Sequence, residues 1–480
     1  MRNQEPDNCG SVVLWAVIAL AILSIFGAEV IRVINAQYHN TLHTSTWQEA
    51  LLASESGIDL AVVELRKSLY PAPNHAWEGW NGVPGDGVTS HESTIIPNAG
   101  LAGTPMTVEV DVDAPAQFID PSNGWQYYRI RAAGTMPLTG PVRVSASRQD
   151  ATLRRLSLLH ERFTNGLLVA HAVSSPQVSR RVEAVVRPVS SFDVAILSIG
   201  LLDLTNHNIV IDSYDSRDPL KSTNGQYDVT KRQEHGNIAT DGQLIDAGNA
   251  YVYGDVATNA GHVSGAANIT GSERTDFYEE PIPITSPTWT LYNSNPSLVT
   301  NTTILNASTT SGSAASRYVL SRISLSGNRT LTLAGDQNGN PTYIEIYVTG
   351  DVSITGNGQI ISQPGVNTKI YFAGNIDSGG NGILNMDSNP LHLQLFGIQP
   401  SGNDTPHVSL GGNSQIMAAL YAPNHDVTIN GGGSNGHFYG SVVGKTVTMN
   451  GVTNLHYDEA MGEGGLIDNY RIVSWFEDNR

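Results

Sequence analysis

An apolar run close to the start of this chain limits its fold more than any other feature. Residues 11–28, SVVLWAVIALAILSIFGA, carry no charge. A helix rising 1.5 Å per residue crosses a bilayer core with roughly 20 such residues. Val12, Val13, Leu14, Trp15, Val17, Ile18, Leu20, Ile22, Leu23, Ile25 and Phe26 favour lipid and form the expected membrane anchor. Val30, Ile31, Val33 and Ile34 prolong the apolar side past Glu29 and Arg32. A removable secretory signal is the competing reading. Arg2 is offset by Glu5 and Asp7, however, and no A-x-A cleavage pattern follows, so retention is favoured.

The next stretch keeps the helical period. Trp47, Leu51, Ser54, Ile58, Ala61, Leu65 and Leu69 recur at spacings of three and four, while Glu49, Glu55, Asp59 and Glu64 fall off that stripe. Gly57 lies within it and weakens the helix slightly. Pro71 and Pro73 end the pattern. A helix over residues 11–69 is about 90 Å long. No soluble domain needs such a rod; a chain that starts in a membrane and ends against a globular head does.

Behind the rod, residues 71–190 read as a small β-rich head. Alternating runs at 106–112, 125–132, 142–147 and 177–186 predict strands, the last closed by Pro188, and 151–163 has helical periodicity. From about Phe192 the texture changes. Short β-branched runs alternate with Gly-Asn, Gly-Asp and Gly-Gly, as in residues 346–357, 370–381, 419–432 and 438–451. The interval is loose, about 19 to 32 residues, the range of solenoid coils. Glycine supplies corners, alternate strand positions supply the core, and stacked coils bury what one coil cannot. The expected fold is multi-domain α+β: a long N-terminal helix, a β-rich head and a right-handed β-helix-like solenoid over 191–460, with a β-sandwich as the alternative. Residues 275–320, rich in Ser, Thr, Asn and Pro, read as a polar excursion, and 461–480 as a C-terminal tail.

Charge and cysteine usage narrow the function. The net charge of −18 repels phosphate backbones, so no nucleic-acid partner is expected. Cys9 is the single cysteine, which excludes an intramolecular disulfide and a thiolate metal cluster.

Two resemblances follow from particular words. Gly10, then a small residue, then an uninterrupted apolar helix resembles a prepilin-peptidase site, with Gly10 and Ser11 flanking the scissile bond and residues 1–10 as leader. ASESGIDLAVVELRKSL, residues 53–69, is similar to the helix of PilX-type type IV minor pilins. Trp15 stands where major pilins carry Glu, which makes the K-type pseudopilins, tip subunits without that Glu, the better likeness. The resemblance covers about the first 70 residues. It implies a pilin-like head over 71–190, a membrane and other pilin or pseudopilin subunits as partners, and a place in the bacterial inner membrane with extracytoplasmic C-terminal domains. The second half resembles a domain of uncharacterised function found in PilX-like proteins, through VIDSYDS (210–216), SLSGN (324–328), AALYAPN (418–424) and LHYDEAM (455–461). That likeness spans about 192–475 and brings no assigned activity.

Candidates for chemistry are few. GGGSNG, residues 431–436, matches both G-x-G-x-x-G and G-x-S-x-G, but each needs a following helix and a strand pattern follows instead. His456, Tyr457, Asp458 and Glu459 sit at the end of the last coil. Neighbours on a strand face opposite ways, so a closing cap is the expected role. His425 and Asp426 read as a solvated turn after Pro423. Asp351, Asp377, Asp387 and Asp404 lie near turns and are of the type that binds calcium, with no site located. No other cofactor is expected. The sequence therefore predicts a non-enzymatic structural and interaction protein acting in pilus assembly, tip priming or surface contact. Two alternatives stand beside it. One is a polysaccharide-active β-helix enzyme, against which Lys369 and Lys445 are the sole basic residues of 343–452. The other is a glycan-binding adhesin that stacks sugars on Tyr347, Tyr371, Tyr421 and Tyr439, although stacking of these rings on one another inside the coils is the favoured expectation; a surface glycan or protein is the further partner considered.

Overall fold

The computed structural model describes residues 9–85, 88–96, 105–137, 177–205, 209–265, 268–289, 298–310, 315–336, 338–402, 405–411, 415–431, 436–451 and 453–478, with the backbone alone for 9–13. The strand expected over 142–147 and the helical stretch over 151–163 lie outside the described residues.

Helix α1, Cys9–Lys67, is continuous for 59 residues. Its anchor residues from Leu14 to Phe26 are all exposed, so that half of the rod presents apolar surface all round. From Thr46 onward one face is buried, and its makeup differs from the expected stripe. Trp47 lies at the margin, 39 % exposed, while Ala50, Ala53, Ser54, Gly57, Ile58, Ala61 and Leu65 make the contact line. Small side chains dominate because the helix lies almost on the sheet. A Cβ on Gly57 would sit 2.9 Å from Ala132, Val108 and Val110, and one on Gly134 would sit 2.1 Å from the Ala50 carbonyl oxygen. Gly57 is therefore required by close approach, not merely tolerated. Glu64, expected at the surface, is buried: one carboxylate oxygen accepts the Trp77 N–H at 2.7 Å and the other pairs with Lys67 at 2.6 Å.

The sheet under α1 is antiparallel. Strands β1 (Ser90–Ile96), β2 (Met106–Asp113), β3 (Tyr128–Pro137) and β4 (Gln177–Ser190) follow in order, and a closing strand from the far end of the chain, Ile467–Asp478, pairs with β4. Val110 faces Ala132, and Ala132 faces Val182, on the side that meets the helix. Residues 461–480 thus hold the edge strand of the head, and β4 runs past Pro188 to Ser190. Everything from 191 to 466 is an insertion between two neighbouring strands of one sheet. Its two ends touch: the Ser191 N–H donates to the Leu466 carbonyl at 2.9 Å.

Among the described residues, the inserted region is built of parallel sheets, one of 22 strands and one of four. Its order in space is not its order in sequence. The chain enters at Ile196–Ser198 and climbs through Ile238–Thr240 and Val256–Thr258 to Glu273–Arg274. It then returns along the stack and starts again at Leu298–Val299. A second arm passes through Thr342–Val348, Val366–Phe372, Leu393–Gly397, Ile416–Asn430 and His437–Asn450. His437–Asn450 pairs with Ile196–Ser198, where the two arms meet. One buried column of side chains crosses that seam: Val299, Ile323, Val352, Ile376, Val408, Val427, Val447, Leu202 and Ile245 are successive register partners. At one corner a Cβ on Gly380 would lie 1.6 Å from the Gly356 carbonyl oxygen, and both glycines have positive φ.

The polar stretch 275–320 divides in two. Residues 277–289 form a strap on the flank of the second arm. The Ile282 carbonyl accepts from Tyr421 Oη at 3.0 Å, the Ile284 carbonyl accepts from the Gln399 N–H at 2.8 Å, and Trp289 meets the Tyr371 ring edge-on. From Leu298 the chain is back in strands, with Thr303–Asn306 and Ser316–Leu320 part of the parallel pairing. Residues 298–299, 303–306 and 316–320 therefore belong to the stack, where the sequence suggests an excursion.

Candidate functional site

The rod carries the first set of functional residues. Gly10 and Ser11 fall inside the helical backbone of α1, which starts at Cys9, and Val12 and Val13 continue it. α1 is long and apolar enough to cross a membrane, and its apolar window is wholly unburied.

The second set gathers at the seam. Asn454–Asp458 pairs with His437–Asn450 on one side and with Val210–Tyr214 on the other, so it is an interior strand and not the expected closing cap. His456 lies opposite Asp212 in register, and both are buried. His456 Nδ1 is 2.5 Å from Asp212 Oδ1, and His456 Nε2 is 2.9 Å from His437 Nδ1. Tyr227 Oη donates to Asp212 Oδ2 at 2.7 Å, and the Tyr227 ring stacks on His456 at 3.7 Å. The other three residues of the motif go elsewhere. Tyr457 Oη donates to the Phe192 carbonyl at 2.7 Å. Asp458 Oδ1 accepts from the Ser216 and Ala460 N–H groups. Glu459 takes Ser213, Lys221 and His235. Burial raises the Asp458 and Tyr227 pKa values, the latter with help from the Asp212 hydrogen bond. Burial, and then His456, lower that of His437.

This chain of groups resembles a proton relay, with an acid orienting one imidazole toward a second. The space beside it is small. The dent beside His437, lined by Ile416, Ile429, Asn430, Phe438 and Thr453, measures about 10 Å³ among the described residues, room for about one water. The arrangement suits a satisfied polar network that fixes how the two arms register. Sequence reading found His456 but missed Asp212, Tyr227 and His437. Asp212 and Tyr227 each lie more than two hundred residues from His456 in the sequence, and no local spacing encodes that partnership.

The remaining candidates resolve individually. His425 is not in a solvated turn: it is fully buried within Ile416–Asn430, against the Phe372 ring, and among the described residues neither ring nitrogen has a hydrogen-bond partner. Burial pushes its pKa down to about 4. Gly431 and Gly436 flank residues 432–435, which lie outside the described residues, and a strand follows Gly436. Asp351 accepts from the Asn375 N–H, Asp377 faces His407, and Asp387 faces His392 and the Gly365 N–H. Asp404 lies outside the described residues. No three His, Cys, Asp or Glu among the described residues are placed to hold a metal ion. Tyr421 and Tyr439 are buried, and Tyr371 stacks on Phe396.

The family model described as "Domain of unknown function (DUF7305)" matches residues 297–463, which is the second arm from Leu298 to the 3-10 turn Glu459–Glu463. AALYAPN and LHYDEAM lie inside that match, and VIDSYDS lies outside it. No curated protein matches the chain. Among solved structures, the competence-associated pilin ComZ from Thermus thermophilus is similar at 11 % identity and a TM-score of 0.20, over 90 % of this chain and 98 % of that one. A score that low carries no argument about this fold.

Proposed function

We propose that this chain is a membrane-anchored, pilin-like subunit: a non-enzymatic structural and interaction protein that serves as a minor pilin or pseudopilin in pilus assembly, tip priming or surface contact. One observation carries the reading. A single helix is apolar on all sides for its first half and seated by small residues on an antiparallel sheet for its second. A soluble protein would leave that first half in water. A lipid core, or a bundle of like helices, removes it at a gain of about 0.5 kcal/mol per large apolar residue. In this reading the head and the inserted stack project to the extracytoplasmic side of a bacterial inner membrane, and other pilin subunits pack against the rod.

We read the stack as a β-helix-like solenoid. Parallel pairing between successive rungs and the continuous buried column support it, whereas a β-sandwich is built mainly of antiparallel pairs. N-terminal sequencing of the protein from native membranes, together with sheared surface fibres, tests the proposal. A mature start at Ser11 in the fibre fraction is the expected result. A start beyond residue 28, with the protein free of membranes, overturns it.

A further inference from the structure

Where the head meets the stack, three carboxyl groups face one cavity of about 160 Å³. Its walls come from the end of β4 and the first stack residues (Ser190, Asp193), the strap (Glu279) and the start of the closing strand (Asp468, Arg471). Two of the carboxylates have a cation. Arg471 Nη2 lies 3.1 Å from Asp193 Oδ2, and Arg66 Nη2 lies 3.6 Å from Glu279 Oε1. Asp468 is 4 % exposed and lines the cavity, yet among the described residues no other side chain donates to it or pairs with it. Burial pushes its pKa well above the ordinary value, with Glu279 and Asp193 adding to the effect and a hydrogen bond from its own backbone N–H, then Arg66, opposing it. Asp241 acts on Glu279, and Arg187 on Asp193, in the same network. An ionised carboxylate is costly to bury without a counter-charge.

We propose that this cavity is a binding site for an ammonium group, from a free alkylamine or a lysine side chain, seated on Asp468 with Asp193 and Glu279 around it. The geometry favours ammonium over other cations. A metal ion needs several oxygens at about 2.0–2.6 Å, and these three carboxylates are not so placed. An ammonium carries three donors that reach acceptors at about 2.8–3.0 Å, and it is compact where a guanidinium is a wide planar fork. The site joins all three segments that tie head to stack, so its occupant would stiffen that joint. It does not depend on the chain being a pilin.

The test uses the full chain in detergent at pH 7, with n-butylamine as probe and tetramethylammonium chloride at equal ionic strength as control. Calorimetry is expected to show saturable one-to-one binding of butylamine and none of tetramethylammonium. Asp468→Asn, which keeps the shape, is expected to weaken binding at least tenfold. Saturable butylamine binding by the unmutated chain, with tetramethylammonium inert, supports the site even where that variant fails to fold. A lysine tripeptide with blocked ends separates the sources: binding it as well as butylamine assigns a partner's lysine, and binding butylamine alone assigns a free amine. Butylamine acting no differently from tetramethylammonium overturns the proposal, as does saturation by calcium chloride instead, or Asp468→Asn binding amine as tightly as the parent.

Discussion

Gly134 and His425 show how much one residue can constrain here. Gly134 lets β3 touch the backbone of α1, and a methyl group there would meet the Ala50 carbonyl oxygen at 2.1 Å. Backbone cannot step aside as a side chain can, so Gly134→Ala is expected to destabilise the head by about 1–3 kcal/mol or more. A fall in the head's thermal midpoint, with the β-signal of the stack retained, checks this. His425 gives a pH dependence. Its folded pKa of about 4 lies below its unfolded value of about 6.5, so the unfolded chain binds the proton first. Its stabilising contribution is whole above about pH 6.5 and is lost as pH falls toward 4, by up to about 3 kcal/mol. The buried carboxyls Asp468 and Asp458 have raised pKa values and act in the opposite sense. The comparison is therefore with His425→Leu: urea midpoints at pH 7.5 and 4.5 should differ less for that variant than for the parent. An equal difference contradicts the assignment. The sequence suggested a turn at His425 because Pro423 precedes it. In the fold, the register shift between Ala422 and Asp426 absorbs the proline and the strand continues.

Among the elements, the seam strands Asn454–Asp458 and Val210–Tyr214 differ from the other rungs by a buried polar network. Removing one member strands the rest. Asp212→Leu is expected to cost about 3–5 kcal/mol, and His456→Leu added to it less than its separate cost, because the pair is lost only once. Chemical denaturation of both single variants and the double variant measures the coupling, and strict additivity contradicts it. Legibility at this scale followed periodicity. The rod, three head strands and the glycine-punctuated strands of the second half are readable because each carries its own pattern. The strands at Leu298–Val299 and Thr303–Asn306 were not, since one inward apolar residue apiece, Val299 or Leu305, is hidden among Ser, Thr and Asn. Pairing of Ile196 with Val442 was invisible for another reason: stack rungs are interchangeable, and nothing local says which is neighbour to which.

At the scale of the molecule, the head is assembled from both ends of the chain and the stack is inserted between them. Reading along the sequence puts the two in series, and residues 467–478 then look like a tail because their partner is β4. The insertion has a consequence for folding. Since Ser191 and Leu466 already touch, replacing residues 191–466 by a short Gly-Ser linker should leave a folded head. Deleting residues 467–478 from the full chain should instead expose the free edge of β4 and lower solubility. Circular dichroism and light scattering of the two truncations distinguish these outcomes, and an unfolded linker-joined head contradicts the topology.

The rod itself is tested most directly by carbonate extraction of membranes from cells that make the full chain, beside a variant with Leu20→Arg and Leu23→Arg. Each arginine near the middle of a spanning helix costs about 3 kcal/mol. The parent should stay in the carbonate-resistant pellet, and the double variant should move to the supernatant with its β-signal unchanged. A parent found in the supernatant, or a double variant held in the pellet, would contradict an anchored rod.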